Sequence, residues 1–158
     1  MSLGPGLVLT FAIGLVAGLR SLTAPAVVCW AAHLGWINLS GSLLAFMGST
    51  WAVWLFTILA LVEYVTDQLP STPARTVPVQ LGARLALGML SGACLAVAGH
   101  VSLWVGVLAA AVGVLVGTFG GYEVRAGLVR SQQVKDIAVA IPEDLVAIGL
   151  GLFVVSRF

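Results

Sequence analysis

Seven basic and six acidic side chains are all that this chain of 158 residues offers for ionic chemistry, and they fall in a few tight groups. Glu63 and Asp67 stand one helical turn apart at the end of an apolar run, so they share a helix face. Two acids at a helix C-terminus oppose the helix dipole, and a cation should offset them; Arg20, Arg75 and Arg84 are available. Such a pair is either part of a salt-bridge network or a cation or proton site. Glu143 and Asp144 follow Pro142 inside another apolar run. A charge pair there is costly in a membrane and marks a functional candidate. The other reading starts a new helix at Pro142, where acids in the first turn suit the dipole.

Arg20 lies in GLRSLTAP, where one helix ends and Ser21 or Thr23 can cap the next, with Pro25 in its first turn. A guanidinium beside free helix N–H groups is an anion site in waiting; alternatively it anchors a helix end among lipid phosphates or pairs with an acid. Arg84, in VQLGARLALG, is the deepest cation of its run. It either snorkels along its stem or meets an acid such as Glu63. Glu123 and Arg125 follow Gly120-Gly121, a pair that permits a kink or a close crossing.

Other chemistry finds no support in the motifs. His33 and His100 are isolated, and Cys29 and Cys94 sit in apolar runs as core thiols without a neighbouring base. There is no Cys/His metal spacing, no nucleophile elbow, no phosphate-binding loop and no dinucleotide fingerprint. No cofactor is expected. A formal net charge of +1 gives no basic face for nucleic acid.

The elements that must position these groups are apolar helices. The chain is 60% hydrophobic and 8% charged, with mean hydropathy +1.11, against about 25% charged residues in a soluble domain. A fold this small cannot hide so much apolar surface from water. The apolar runs are Leu3–Leu19, Leu22–Ile37, Leu43–Val65, Val79–Ala98, Val101–Gly121 and Ile137–Val155. A spanning helix needs about 20 residues. The expected fold is therefore an all-α integral membrane bundle of about six transmembrane helices, one domain over residues 1–158. Leu22–Ile37 is expected as a short span or a re-entrant helix, and Leu3–Leu19, ending at Arg20 rather than at a cleavage motif, as a retained span. Asn38–Gly41, the proline-rich Gln68–Pro78, Gly99-His100 and Arg130–Asp136 read as connections.

Six crossings with both termini outside place Arg20, Arg75, Arg125, Arg130 and Lys135 on the cytoplasmic side, as the positive-inside rule prefers. Glu63, Asp67, Glu123, Asp136, Glu143 and Asp144 gather in the same half. Gly14/Gly18, Gly88/Gly92 and Gly113/Gly117/Gly121 recur at four-residue spacing, so close helix approach is expected, either within the bundle or between copies. FAIGLVAGL at Phe11–Leu19 parallels LALGMLSGA at Leu85–Ala93, the kind of weak repeat that two inverted halves would leave.

GLRSLTAP, E-x-x-x-D-x-L-P-x-T-P-x-R from Glu63 to Arg75, GARLALGMLSGA at Gly82–Ala93, GGYEVR at Gly120–Arg125 and D-x-A-V-A-x-x-E-D-x-V-A-I from Asp136 to Ile148 resemble a bacterial family of small membrane proteins, domain-of-unknown-function family 4126. Pro142 departs from the aliphatic residue found before the Glu-Asp pair in that family. The resemblance implies a bacterial inner-membrane location and supplies no reaction.

Taken together, Arg20, Thr23, Glu63, Asp67, Arg84, Glu143 and Asp144 are the expected binding set of a small permease or channel-like protein for a polar or anionic solute or a lipid head group. The rival readings are a scaffold or accessory subunit whose glycine faces bind a partner helix, and a lipid-modifying enzyme using the acid pairs. Membrane lipid and a second copy of the chain are the expected partners.

Overall fold

The computed structural model describes the backbone of residues 3–67, 76–132 and 136–158, and the side chains of residues 4–67, 76–127 and 140–158. Among these, every regular element is helical: α1 (Leu3–Leu19), α2 (Thr23–His33), a 3₁₀ turn (Leu43–Gly48), α3 (Thr50–Thr66), α4 (Pro78–Ala98), α5 (Leu103–Gln132) and α6 (Asp136–Val155). Two are long and apolar enough to cross a membrane, Pro78–Ala98 and the Leu103–Gly127 part of α5; Gly4–Leu19 and Thr50–Thr66 are shorter apolar helices. Residues 68–75, including Arg75, and residues 133–135, including Lys135, lie outside the described residues.

Four boundaries differ from the sequence reading. Helix α5 continues through Arg130 to Gln132 and α6 begins at Asp136, so both ends of the expected Arg130–Asp136 connection are helical. The run Leu43–Val65 is not one helix: Leu43–Gly48 winds as a 3₁₀ turn, and Ser49, extended at ψ 147, starts α3 afresh. Leu22–Ile37 contains only 11 helical residues, about 16 Å of rise, well short of a hydrocarbon core of about 30 Å. And α6 runs through Pro142 without a break, although a proline ring removes one interior hydrogen bond.

The turns are the ones the glycines announce. After α2, Gly35 takes φ +77, and the N–H groups of Gly35 and Trp36 reach back to Ala32 and Ala31, the left-handed stop common at helix ends. After α4, His100 takes the same role at φ +54, donating to the Val97 carbonyl, a conformation uncommon for a side-chain-bearing residue.

The centre of the molecule is α1, flanked by α5 and α4, with α2 and α6 completing its surroundings. Its seam with α5 is made by reciprocal glycines. A Cβ on Gly14 would fall on the Ala110 carbonyl, and one on Gly18 would fall on that of Val114. In return, Gly113 and Gly117 of α5 abut the Phe11 and Leu15 carbonyls. Both pairs advance in the same direction, so α1 and α5 are parallel. Gly88 and Gly92 of α4 face Val114 and Ala110 in the opposite order, so α4 is antiparallel to both. Gly121 is half-buried. The helices thus approach backbone to backbone, as small residues allow. Two inverted halves do not emerge, because the 11-residue α2 would have to correspond to the 30-residue α5.

The outer faces are apolar. Ile58, Leu61 and Val65 of α3, Leu108 and Val112 of α5, and Leu145 and Val146 of α6 are all exposed. The buried positions include two complete arginines, Arg20 and Arg84, among the largest side chains fully enclosed.

Candidate functional site

The site grows from the reversal between α1 and α2. Helix α1 ends at Leu19, and α2 begins at Thr23 with Leu22 in the capping position and no side-chain cap. A helix start leaves N–H groups without partners. Here the partner is remote: Glu63 Oε1 accepts from the Ser21 N–H at 2.8 Å and from the Ser21 hydroxyl, and Oε2 accepts from the Leu22 N–H at 2.8 Å. The expectation that Ser21 or Thr23 caps α2 is therefore corrected. A carboxylate brings full charge and two oxygens to the dipole end, and the Thr23 hydroxyl bonds the Tyr64 hydroxyl at 2.6 Å instead.

The carbonyl side of the same reversal is held by Arg84. Its Nη1 donates to the Gly18 and Leu19 carbonyls, each at 3.0 Å, and the Thr118 hydroxyl donates to Gly18 at 3.3 Å. Arg84 Nη2 lies 4.0 Å from Glu63 Oε1 and 3.9 Å from Asp67 Oδ2. Arg84 thus neither snorkels nor only pairs with an acid; it caps the last turn of α1.

Arg20 is fully buried. Its Nε donates to Asp144 Oδ1 and its Nη1 to Asp67 Oδ2, each at 2.5 Å. The Tyr64 ring lies 5.6 Å from its Cζ, within range of a cation–π attraction. One guanidinium therefore joins the end of α1 to α3 and to α6. Asp67 and Asp144 keep 17% and 15% of their side-chain surface open, so these two acids bring the cluster to the surface, with Arg20 directly behind them.

Six of the seven sequence-chosen residues converge: Arg20, Thr23, Glu63, Asp67, Arg84 and Asp144. Glu143 does not join them. It faces Arg125 of α5 at 3.6 Å, as neighbours on a helix point about 100° apart. Ser21 acts through its backbone and hydroxyl, and Tyr64 and Thr118 were not expected. Only the place of Tyr64 beside Glu63 could have pointed to it. Among the described residues of the inner set, two guanidinium groups face three carboxylates.

A family model for a domain of unknown function, DUF4126, matches residues 7–156. The chain belongs to the DUF4126 family. The matched stretch contains every residue of the cluster, so the site of this DUF4126 chain lies wholly within the family's domain. No curated protein and no solved structure matches the chain.

Proposed function

We infer that this DUF4126 chain is a polytopic protein of the bacterial inner membrane and a small permease, with its ionic cluster open to the cytoplasm. The membrane reading rests on the composition, on the two long apolar helices and on the apolar side chains exposed around the outer faces, which lipid would cover. Six chain passages fit the alternation of the described elements, with α2 and the segment up to the 3₁₀ turn together making the second. Arg20, Arg84 and Arg125 gather at one end, which the positive-inside rule makes cytoplasmic.

The observation that carries the permease reading is the double ion pair on Arg20. Helix α3 packs on α2 and the 3₁₀ turn, and its charged end is tied to the core by Arg20–Asp67 and by the longer approaches of Arg84. Helix α6 is tied through Arg20–Asp144. Competing for the guanidinium would loosen a helix rather than a side chain, and a helix released in this way is the kind of movement transport needs. The test is solute or lipid flux into proteoliposomes under a pH gradient. Asp67→Asn and Asp144→Asn should abolish it while the protein stays folded and monodisperse. Full flux in both variants would sink the reading.

One observation favours a scaffold instead. Glu63 and Arg84 cap backbone ends, which is structural work. A scaffold predicts a stoichiometric partner that co-purifies from native membranes and survives Asp67→Asn.

A further inference from the structure

Deepening the permease reading, on which it rests, we propose that Arg20, Asp67 and Asp144 form a binding site for a zwitterionic group, an ammonium carried a few bonds from an oxyanion. Two observations point there. First, Arg20 Nη2 is buried and has no hydrogen-bond partner among the described residues. A guanidinium presents five N–H donors in a fixed fork, and an unmet buried donor on a charged group is costly. The Tyr64 ring attracts the cation but offers no lone pair to an N–H in the guanidinium plane. Second, each acid binds end-on. Asp144 takes Nε through Oδ1, and Asp67 takes Nη1 through Oδ2. Neither closes the two-oxygen fork that a carboxylate usually makes with Arg. The two second oxygens, Oδ2 of Asp144 and Oδ1 of Asp67, are therefore left over on the same guanidinium's two acids, and both residues are partly open to the exterior.

The charges choose the ligand. A bare anion would satisfy Nη2 but would enter a cluster that, among the described residues, already has three carboxylates against two guanidinium groups. A bare cation would satisfy the acids but leave Nη2 unmet and repelled by it. The described carboxylates and thiols do not converge as a metal-holding set. A zwitterion meets both demands: its oxyanion takes the Nη2 donor, and its ammonium lies against the spare oxygens of Asp67 and Asp144. Amino acids and aminophosphates carry this chemistry as free solutes, and phosphatidylethanolamine carries it as a lipid head group.

The test is binding to the purified full-length chain. Free probes are O-phosphoethanolamine and glycine, with inorganic phosphate and ethylamine as the half-ligands, all read by calorimetry. Phosphatidylethanolamine against phosphatidylglycerol, read by retention in native mass spectrometry, covers the lipid source. At least one zwitterion should bind about tenfold or more tighter than either half-ligand, and Asp144→Asn should weaken it about tenfold, one charge-pair contact's worth. Arg157→Gln, at the opposite end, should leave binding unchanged. Preference for the lipid over the free probes assigns the source to the membrane, and the reverse assigns it to solute. Equal binding of phosphate or ethylamine, indifference to Asp144→Asn in a folded variant, or a folded wild type that binds no zwitterion in either form overturns the proposal. Binding without flux would remove only the permease reading, and flux of a solute without zwitterion binding would remove only this site.

Discussion

Glu63 serves the α1–α2 reversal as a detached piece of backbone, accepting two main-chain N–H groups and a hydroxyl from it. Removing the carboxylate leaves those donors buried and leaves Arg84 without one of its acids. Glu63→Ala should therefore destabilise the protein by about 3–5 kcal/mol, the usual loss when one partner of a buried ionic set is deleted. Glu63→Gln keeps one acceptor oxygen but turns an amide N–H₂ toward a donor, and about 1–3 kcal/mol is expected. Equilibrium unfolding followed by tryptophan fluorescence distinguishes these. Equal losses would show that the group matters through packing alone. At this scale the sequence was half legible. The four-residue spacing of Glu63 and Asp67 correctly put both on one face in need of cations. It could not reveal that a carboxylate more than 40 positions away caps α2, because which N–H groups lie opposite a side chain is decided by tertiary packing. Ser21 and Thr23 looked like the cap because they are the nearest hydroxyls in the chain.

Helix α1 and helix α5 meet through carbonyls lodged against glycines, and that contact separates two kinds of Gly→Ala change. At Gly14 or Gly113 the new methyl would collide with the backbone of Ala110 or Phe11, which cannot rotate away. Overpacking of this kind costs about 1–3 kcal/mol, so both variants should unfold earlier. At Gly88 the obstacle is the Val114 Cγ2 methyl, which can change rotamer, and a smaller loss is expected. Gly149 has open space around it, and Gly149→Ala should stabilise α6 by about 0.5–1 kcal/mol through reduced backbone entropy. A thermal-melt series on the four variants should rank Gly149→Ala above wild type, then Gly88→Ala, then Gly14→Ala and Gly113→Ala; a flat series would refute the seam. The spacing of the glycines was legible because it is a property of one helix. Their partners were not, since a small-residue face does not say what it meets, and α1 pairs with a helix five elements later. Pro142 misled in the opposite sense: a proline suggests a boundary, yet packing carries α6 through it.

For the molecule as a whole, helix lengths decide how the chain would sit in a bilayer. Helix α5, with 30 residues, rises about 45 Å and must project beyond a hydrocarbon core of about 30 Å. Helix α2 falls short of it by itself, so the second passage needs the irregular stretch after His33, whose Ile37 and Leu39 are buried. Non-helical backbone at membrane depth is tolerated when protein covers it. That stretch reaches the end of the bundle opposite the charges, where Trp36 shares a cleft with Val155 and Phe158, and Pro5 shares another with Phe153 and Arg157. The loops Asn38–Gly41 and Gly99–Ser102 should then face the same side of the membrane as both chain ends, and Glu123 the other. Cysteine labelling in intact cells tests this directly. The native Cys29 and Cys94 are wholly buried and give little background with an impermeant maleimide. Ser40→Cys and Ser102→Cys, at exposed positions, should label from outside, and Glu123→Cys only after permeabilisation. Labelling of Gly4→Cys, at the exposed start of α1, from outside while Ser40→Cys and Ser102→Cys label only after permeabilisation would mean that α2 and its following segment turn back within the bilayer. Arg20 would then have no cytoplasmic neighbour in Asp67, and the ionic cluster could not assemble as a single site at one face.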